Sequence, residues 1–154
     1  MSKRGNKKAV VFGGSGFLGS HVADTLTENG FDVTVFDINE SKYLKNGQQM
    51  VIGDILNSSI VREVVDGSEI VFHFAGVADI KEANEKPFDA VKYNILGTTN
   101  ILDECVKAKV SRFIFASTVY VYSDHGGFYR STKQACELLI ENYQNTYGLD
   151  FTIL

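Results

Sequence analysis

Only two cysteines, one proline and no tryptophan occur among the 154 residues of this chain. Cys105 and Cys136 lie 31 residues apart, with no C-x-x-C pair and no neighbouring histidine. That spacing argues against a disulfide framework and a zinc site, and leaves two reduced, partly buried thiols. His21, His73 and His125 are scattered without ligand spacing, so all three read as structural and no metal site is expected. No excess of positive charge offers a surface to nucleic acid or lipid. The net charge is -4, and the one basic cluster, Lys3, Arg4, Lys7 and Lys8, reads as a solvated tail. No apolar run approaches the roughly 18 residues of a membrane-spanning helix, and the polar N-terminus lacks the apolar core of a signal peptide. A cytoplasmic protein is expected. Internal repeats, low-complexity tracts and linkers are also missing, so the chain reads as one domain, with 44% hydrophobic residues to form its core.

Glycine, by contrast, is concentrated where it counts. Val10 to Gly19, V-V-F-G-G-S-G-F-L-G, is an apolar run that breaks into Gly13, Gly16 and Gly19 at spacing three. With Ala9 to Phe12 as a buried strand and Phe17 to Thr27 as a helix, the glycines occupy the turn between them, where side chains would block a phosphate. The first turn of a helix leaves unpaired N–H groups and a partial positive charge, so a pyrophosphate can be held there without a lysine. The spacing alone is weak, but a second strand, Phe31 to Phe36, ends at Asp37, eighteen residues after Gly19. A carboxylate there accepts hydrogen bonds from adenosine ribose hydroxyls and repels a 2′-phosphate, which favours NAD over NADP. Asp37 and Asn39 also suit a simple strand-ending turn.

Further along, Gln49 to Ile52 reads as a short third strand stopping at Gly53 and Asp54. Asn57 to Val65 reads as a capped helix, and Glu69 to Phe74 as a strand buried on both faces. Small residues, Ala75 and Gly76, follow at its carboxyl end, where ligands of doubly wound sheets bind. Pro87 suits the first turn of a long helix to about Ala108, with Phe88, Val91, Ile95, Leu102 and Cys105 as a stripe facing the sheet. Val110 to Ala116 is the fifth strand. A polar loop, Ser123 to Gly127, leads to a helix over Tyr129 to Tyr147 with Cys136, Leu139, Ile140, Tyr143 and Tyr147 on one stripe, and Asp150 to Leu154 begins a sixth strand. The expected fold is α/β, a Rossmann-type doubly wound parallel sheet of order 3-2-1-4-5-6 with helices on both faces.

Tyr129 and Lys133 are four residues apart, on one face of that last helix. An ammonium beside a phenol favours the phenolate, so Tyr129 is expected to act as a base, with the Thr118 hydroxyl at the end of strand five holding the substrate oxygen while a hydride leaves for NAD.

Together these stretches resemble the extended short-chain dehydrogenase/reductase family, in its NAD-dependent sugar-nucleotide epimerase/dehydratase branch. The resemblance rests on G-G-S-G-F-L-G, Asp37, G-D-I at Gly53 to Ile55, H-F-A-G at His73 to Gly76, N-I-L-G-T at Asn94 to Thr98, A-S-T at Ala116 to Thr118, V-Y at Val121 and Tyr122, and Y-R-S-T-K. It implies pyrophosphate binding at Gly13, Gly16, Phe17, Leu18 and Gly19, the adenosine ribose at Asp37 beside Asn39, and adenine at Asp54 and Ile55. It implies that Phe74, Ala75, Gly76 and Asn94 line the path to the nicotinamide, that Thr118 and Tyr129 do the acid–base work, and that Lys133 also holds the nicotinamide ribose. A nucleotide-sugar substrate and a homodimer through helices 87–108 and 129–147 are implied as well.

The family's dehydratases carry Asp-Glu directly after the threonine, and related decarboxylases a glutamate two places after it. Val119 and Tyr120 stand there instead. Elimination and that form of decarboxylation therefore lose support, and redox-neutral epimerisation of the sugar is favoured. A reductase with net redox change and a non-catalytic NAD-binding module are the alternatives. Two departures bear on the choice: Ser123 replaces the glycine of V-Y-G with a short loop after it, and the chain stops at Leu154, inside strand six, where the family's substrate domain is expected to follow.

Overall fold

A computed structural model of the chain describes residues 7–154. Lys3 and Arg4 of the basic cluster lie outside the described residues. Lys7 and Lys8 are not a free tail: Lys7 pairs with Glu69, and Lys8 Nζ donates to the Asp66 carbonyl at 2.7 Å. Both anchor the start of the central strand.

Six strands form one sheet in the order β3-β2-β1-β4-β5-β6, as the alternating pattern predicts. They are β1 (Lys8–Phe12), β2 (Asp32–Asp37), β3 (Gln48–Ile52), β4 (Ile70–His73), β5 (Arg112–Phe115) and β6 (Phe151–Ile153). Every pairing is parallel, with Val10 set between Thr34 and Val71. Parallel neighbours need crossover helices, and these lie on both faces. The helix α1 (Phe17–Glu28) covers one face, over Val11, Val33 and Val35. The helix α2 (Ser58–Val65) and two later ones, α5 (Gly97–Ala108) and α6 (Gly127–Tyr147), share the other face, over Val10, Phe12, Val71, Phe113 and Phe115. That unequal cover corrects the expectation for the fourth strand. Val71 and His73 are fully buried towards the three helices, but Phe72 is only half-buried, because α1 reaches it from the side.

The segment 87–108 is helical throughout but not uniform. After α4 (Pro87–Ala90) the chain winds as a wider π turn over Val91–Leu96 before α5 begins. A π turn bonds i to i+5 and so slips the register of every residue beyond it. The expected stripe therefore breaks: Phe88 is 78% exposed and Val91 also faces outward, while Ala90, Asn94, Gly97 and Thr98 point in. Two further corrections are local. Tyr147, in the last turn of α6, is exposed. A short helix not anticipated from the sequence, α3 (Ile80–Glu85), follows β4, capped by Asp79, whose side chain accepts from Glu82 N at 2.8 Å. An acid three residues after a capping residue is a legible start signal, and Asp79 with Glu82 carries it.

Candidate active site

The loops that leave β1 to β4 at their carboxyl ends surround a cavity of about 500 Å³. Gly13 brings two of them into contact. Its φ is +77°, and a Cβ there would lie 2.5 Å from Ala75 N, so only glycine permits the loops after β1 and β4 to meet. A Cβ on Gly19 would lie 2.2 Å from the Gly13 carbonyl oxygen, which sets the first turn of α1 directly on the glycine loop. Gly16 differs from both. It caps α1 without a side chain, lines the cavity, and a Cβ on it would meet only Gly13 O, at 3.3 Å. A methyl at Gly16 would thus fill the cavity rather than strike the protein. The unpaired N–H groups of a helix start face the place it would fill, a cradle that fits a pyrophosphate.

Asp37 lines the same cavity and is fixed by its neighbours. One carboxylate oxygen accepts from Ser15 N and the other from Asn39 N, each at 3.1 Å. The strand-ending turn and the cavity wall are thus one structure, and each oxygen keeps a lone pair for a ribose hydroxyl. Asn39, Asp54, Ile55, Phe74, Ala75 and Gly76 line it too. Asp54 holds the following turn through Leu56 N at 2.9 Å, and Ile55 is buried beneath the cavity, where Gly97 leaves room for its side chain. The sequence reading missed Tyr93 and Glu82, which also line the cavity. Tyr93 sits in the π turn and Glu82 in α3, the two elements that periodicity did not resolve.

Phe17, Leu18 and Asn94, expected at the cofactor, do not line the cavity with their side chains. The Phe17 and Leu18 side chains are exposed, and Leu18 lines a separate apolar groove on α1, so only their backbone N–H groups are available to a phosphate. Asn94 is 2% exposed and its side chain is fully engaged. Its Oδ1 accepts from Val77 N at 2.7 Å, and its Nδ2 donates to Val77 O and Thr132 Oγ1, both at 3.0 Å. Asn94 clasps the cavity loop to α6 instead of lining the path itself.

The second group of residues, Thr118, Tyr129 and Lys133, does not line the cavity but gathers between the end of β5 and α6, the helix that the clasp reaches. Thr118 opens a single 3-10 turn, Val119–Tyr122, its Oγ1 accepting from Tyr120 N at 3.4 Å, and stands near Tyr129 in the first turns of α6. Lys133 Nζ donates to Ala116 O at 2.7 Å and lies 4.5 Å above the Phe115 ring, but 5.9 Å from that of Tyr129. Burial pushes Lys133 down to about 8, partly opposed by Cys136 and Glu137. Tyr129 departs from the expected depression: burial raises it above the ordinary phenol range, nearby Thr118 opposes that, and Tyr120 adds to the rise. With its ammonium tied to Ala116 O, Lys133 does not offset the desolvation. His73 stays neutral, pushed down to about 3 by burial and then by Lys133, its Nε2 within 2.8 Å of Thr98 Oγ1. Cys105 and Cys136 are free and fully buried, and Cys136 donates to Asn94 O at 3.0 Å. Among the described residues no helix is long and apolar enough to cross a membrane.

Comparison with known proteins agrees with this geometry. The model of the family described as NAD dependent epimerase/dehydratase matches residues 9–154. A UDP-N-acetyl-alpha-D-glucosaminuronate decarboxylase of Bacillus cytotoxicus is 36% identical over 122 residues, covering 75% of this chain and 38% of that protein. A UDP-glucose 4-epimerase of Yersinia enterocolitica is 34% identical over 127 residues, again covering 75% of this chain and 38% of its own length. Among solved structures, the UDP-glucose 4-epimerase of Brucella ovis in complex with NAD superposes with a TM-score of 0.89 at 28% identity, over 96% of this chain and 50% of that one. The chain therefore spans half or less of the length of these relatives.

Proposed function

Because the chain belongs to the NAD-dependent epimerase/dehydratase family, we propose that it binds NAD in the glycine-lined cavity and forms the redox half of a nucleotide-sugar epimerase. The observation that carries the reading is the Asn94 clasp. It joins Val77, which lines the cavity beside the Gly13 cradle, to Thr132, which lies between Tyr129 and Lys133 on α6, and so ties the cavity loop to the helix that carries the acid–base residues. Gly13, Gly16 and Gly19 would receive the pyrophosphate, Asp37 the adenosine ribose, and Asp54 with Ile55 the adenine. When bound, NAD supplies the hydride acceptor and a positive nicotinamide ring. Tyr129 removes the proton of a sugar hydroxyl oriented by Thr118, and Lys133 holds the nicotinamide ribose. Val119 is exposed and Tyr120 carries a phenol, so neither supplies the carboxyl group that elimination or decarboxylation would use. A net-redox reductase is the second reading, favoured by the short Ser123–Gly126 connection into α6.

Nucleotide sugars incubated with the protein and NAD test the proposal. Interconversion of epimers with no lasting change in the NADH absorbance band is the expected result. Lasting NADH formation or consumption means a reductase, and neither means a binding module. Tyr129→Phe should lower turnover by at least about 100-fold while leaving NAD affinity close to that of the parent. Asp37→Ala should weaken NAD binding by about tenfold and narrow the preference over NADP, read by calorimetric titration of both cofactors.

The homodimer belongs to this proposal too. Phe88, Val91 and Leu96 on the 87–108 segment and Leu138 on α6 leave apolar surface outward, which pairing of the two helices in a second copy would cover. We assign the protein to the cytoplasm, whose reducing conditions suit two free, buried thiols.

A further inference from the structure

Three consecutive residues just past the carboxyl end of β5 face the rungs of a single helical ladder, and two of them are bonded to it. Tyr129, Lys133 and Glu137 recur every four residues on α6 and so stand one above another on one face. Thr118 stands near Tyr129, the Ala116 carbonyl accepts from Lys133 Nζ, and the Ser117 hydroxyl donates to the Glu137 carboxylate. Ser117 is gripped from the other side as well, its backbone N–H donating to Leu154 O at 3.0 Å. Nothing in the cofactor and acid–base assignments uses the third rung.

We propose that Glu137 is a positioning residue for the Thr118–Tyr129–Lys133 centre: its carboxylate fixes the strand end that carries Thr118 and supplies the negative charge that keeps the buried Lys133 cationic. The proposal rests on the reading of those three residues given above. Lys133 is 7% exposed, and few groups offset the loss of water around it. From β5 it meets the Phe115 ring and the Ala116 carbonyl. From β4 comes His73, which is neutral. On α6 itself stand Tyr129 and Cys136, a phenol and a thiol both held above their ordinary ranges by burial, and Glu137. Among the groups that act on Lys133, Glu137 is the one carboxylate.

The charge and the hydrogen bond can be separated by substitution. Glu137→Gln keeps the size and an oxygen that can accept from Ser117 but removes the charge. Ser117→Ala keeps the charge and removes the hydroxyl. The readout is the titration of Lys133 in the ligand-free chain, followed by NMR of lysine labelled at Cε, with the signal identified by its loss in Lys133→Met. Glu137→Gln should lower the proton affinity of Lys133 by about threefold or more, half a pKa unit. Ser117→Ala should leave that titration in place and speed hydrogen exchange at the Ser117 amide by about tenfold. Glu137→Asp, with the charge kept and the reach shortened, should behave like Ser117→Ala. An unmoved Lys133 titration in Glu137→Gln overturns the electrostatic role, and unchanged exchange in Ser117→Ala overturns the fixing of the strand end. NAD titration of the parent chain is a separate measurement. A chain that binds no NAD yet shows the Lys133 shift loses the cofactor reading and keeps Glu137 as the counter-ion. A chain that binds NAD with Lys133 unmoved loses only the role of Glu137.

Discussion

Gly19→Ala is expected to cost the chain about 3 kcal/mol of stability and to lower its melting temperature by roughly 6–12 °C. The added methyl would lie 2.2 Å from Gly13 O and 2.8 Å from the Gly14 Cα. Both are backbone atoms of a loop already in contact with the residues after β4, so neither can turn aside as a flexible side chain would. Relief requires α1 to lift from the end of β1, which opens the contact with Val11, Val33 and Val35 at the same time. Gly16→Ala makes the contrast. Its φ of -76° suits any residue, and its one close neighbour is 3.3 Å away. The fold should therefore lose no more than about 1 kcal/mol, the cost of alanine at a helix cap. Its methyl enters the cavity where the pyrophosphate is proposed to lie, and NAD affinity should drop by about 10- to 100-fold. Thermal melts and calorimetric titrations on both variants check the pair. A Gly16→Ala chain that binds NAD like the parent would mean that the pyrophosphate does not rest on this loop.

Lys133→Met should do the opposite to stability, raising it while turnover is lost. In the folded chain Lys133 is pushed down to about 8, against an ordinary value of 10.5. The unfolded chain therefore binds more protons between those two values. Stability rises with pH across that window, and the full penalty for burying the ammonium is present below pH 8. The gap corresponds to about 3 kcal/mol, and removing the donor to Ala116 O returns about 1 kcal/mol of that. A net gain of about 1–2 kcal/mol is expected at pH 7, shrinking towards pH 10 as the parent sheds its own penalty. Urea unfolding at the two pH values measures it, and a Lys133→Met chain that is less stable at pH 7 would refute the argument. The same substitution removes the donor proposed for the nicotinamide ribose, so turnover should fall by about 100-fold or more.

Sheet order, crossover pattern and cofactor loop were legible in the sequence because each depends on residues close together along the chain. An apolar run such as A-V-V-F reads as a buried strand when a glycine turn follows it, and three glycines at spacing three have conformational reasons that act within ten residues. Asp37 was legible for the same reason, as the acid that ends the second strand. The break in the 87–108 stripe was not. The π turn sets the Asn94 side chain on Val77 and the Asn94 carbonyl on Cys136, and both partners are distant in sequence.

The sequence by itself therefore determined a doubly wound parallel sheet, a glycine cradle at the end of its first strand, an acid at the end of its second, and Tyr129 and Lys133 on one helix face. Tertiary structure alone decided which groups those residues touch and how much water each loses. It turned Asn94 from a cavity residue into a clasp, raised Tyr129 where a neighbouring lysine was expected to lower it, and set Glu137 against Ser117 across 20 residues of chain. Periodicity reports the face on which a side chain stands. Charge and hydrogen bonding depend on the atoms that fill the space in front of it, and those come from segments that meet only when the chain has folded.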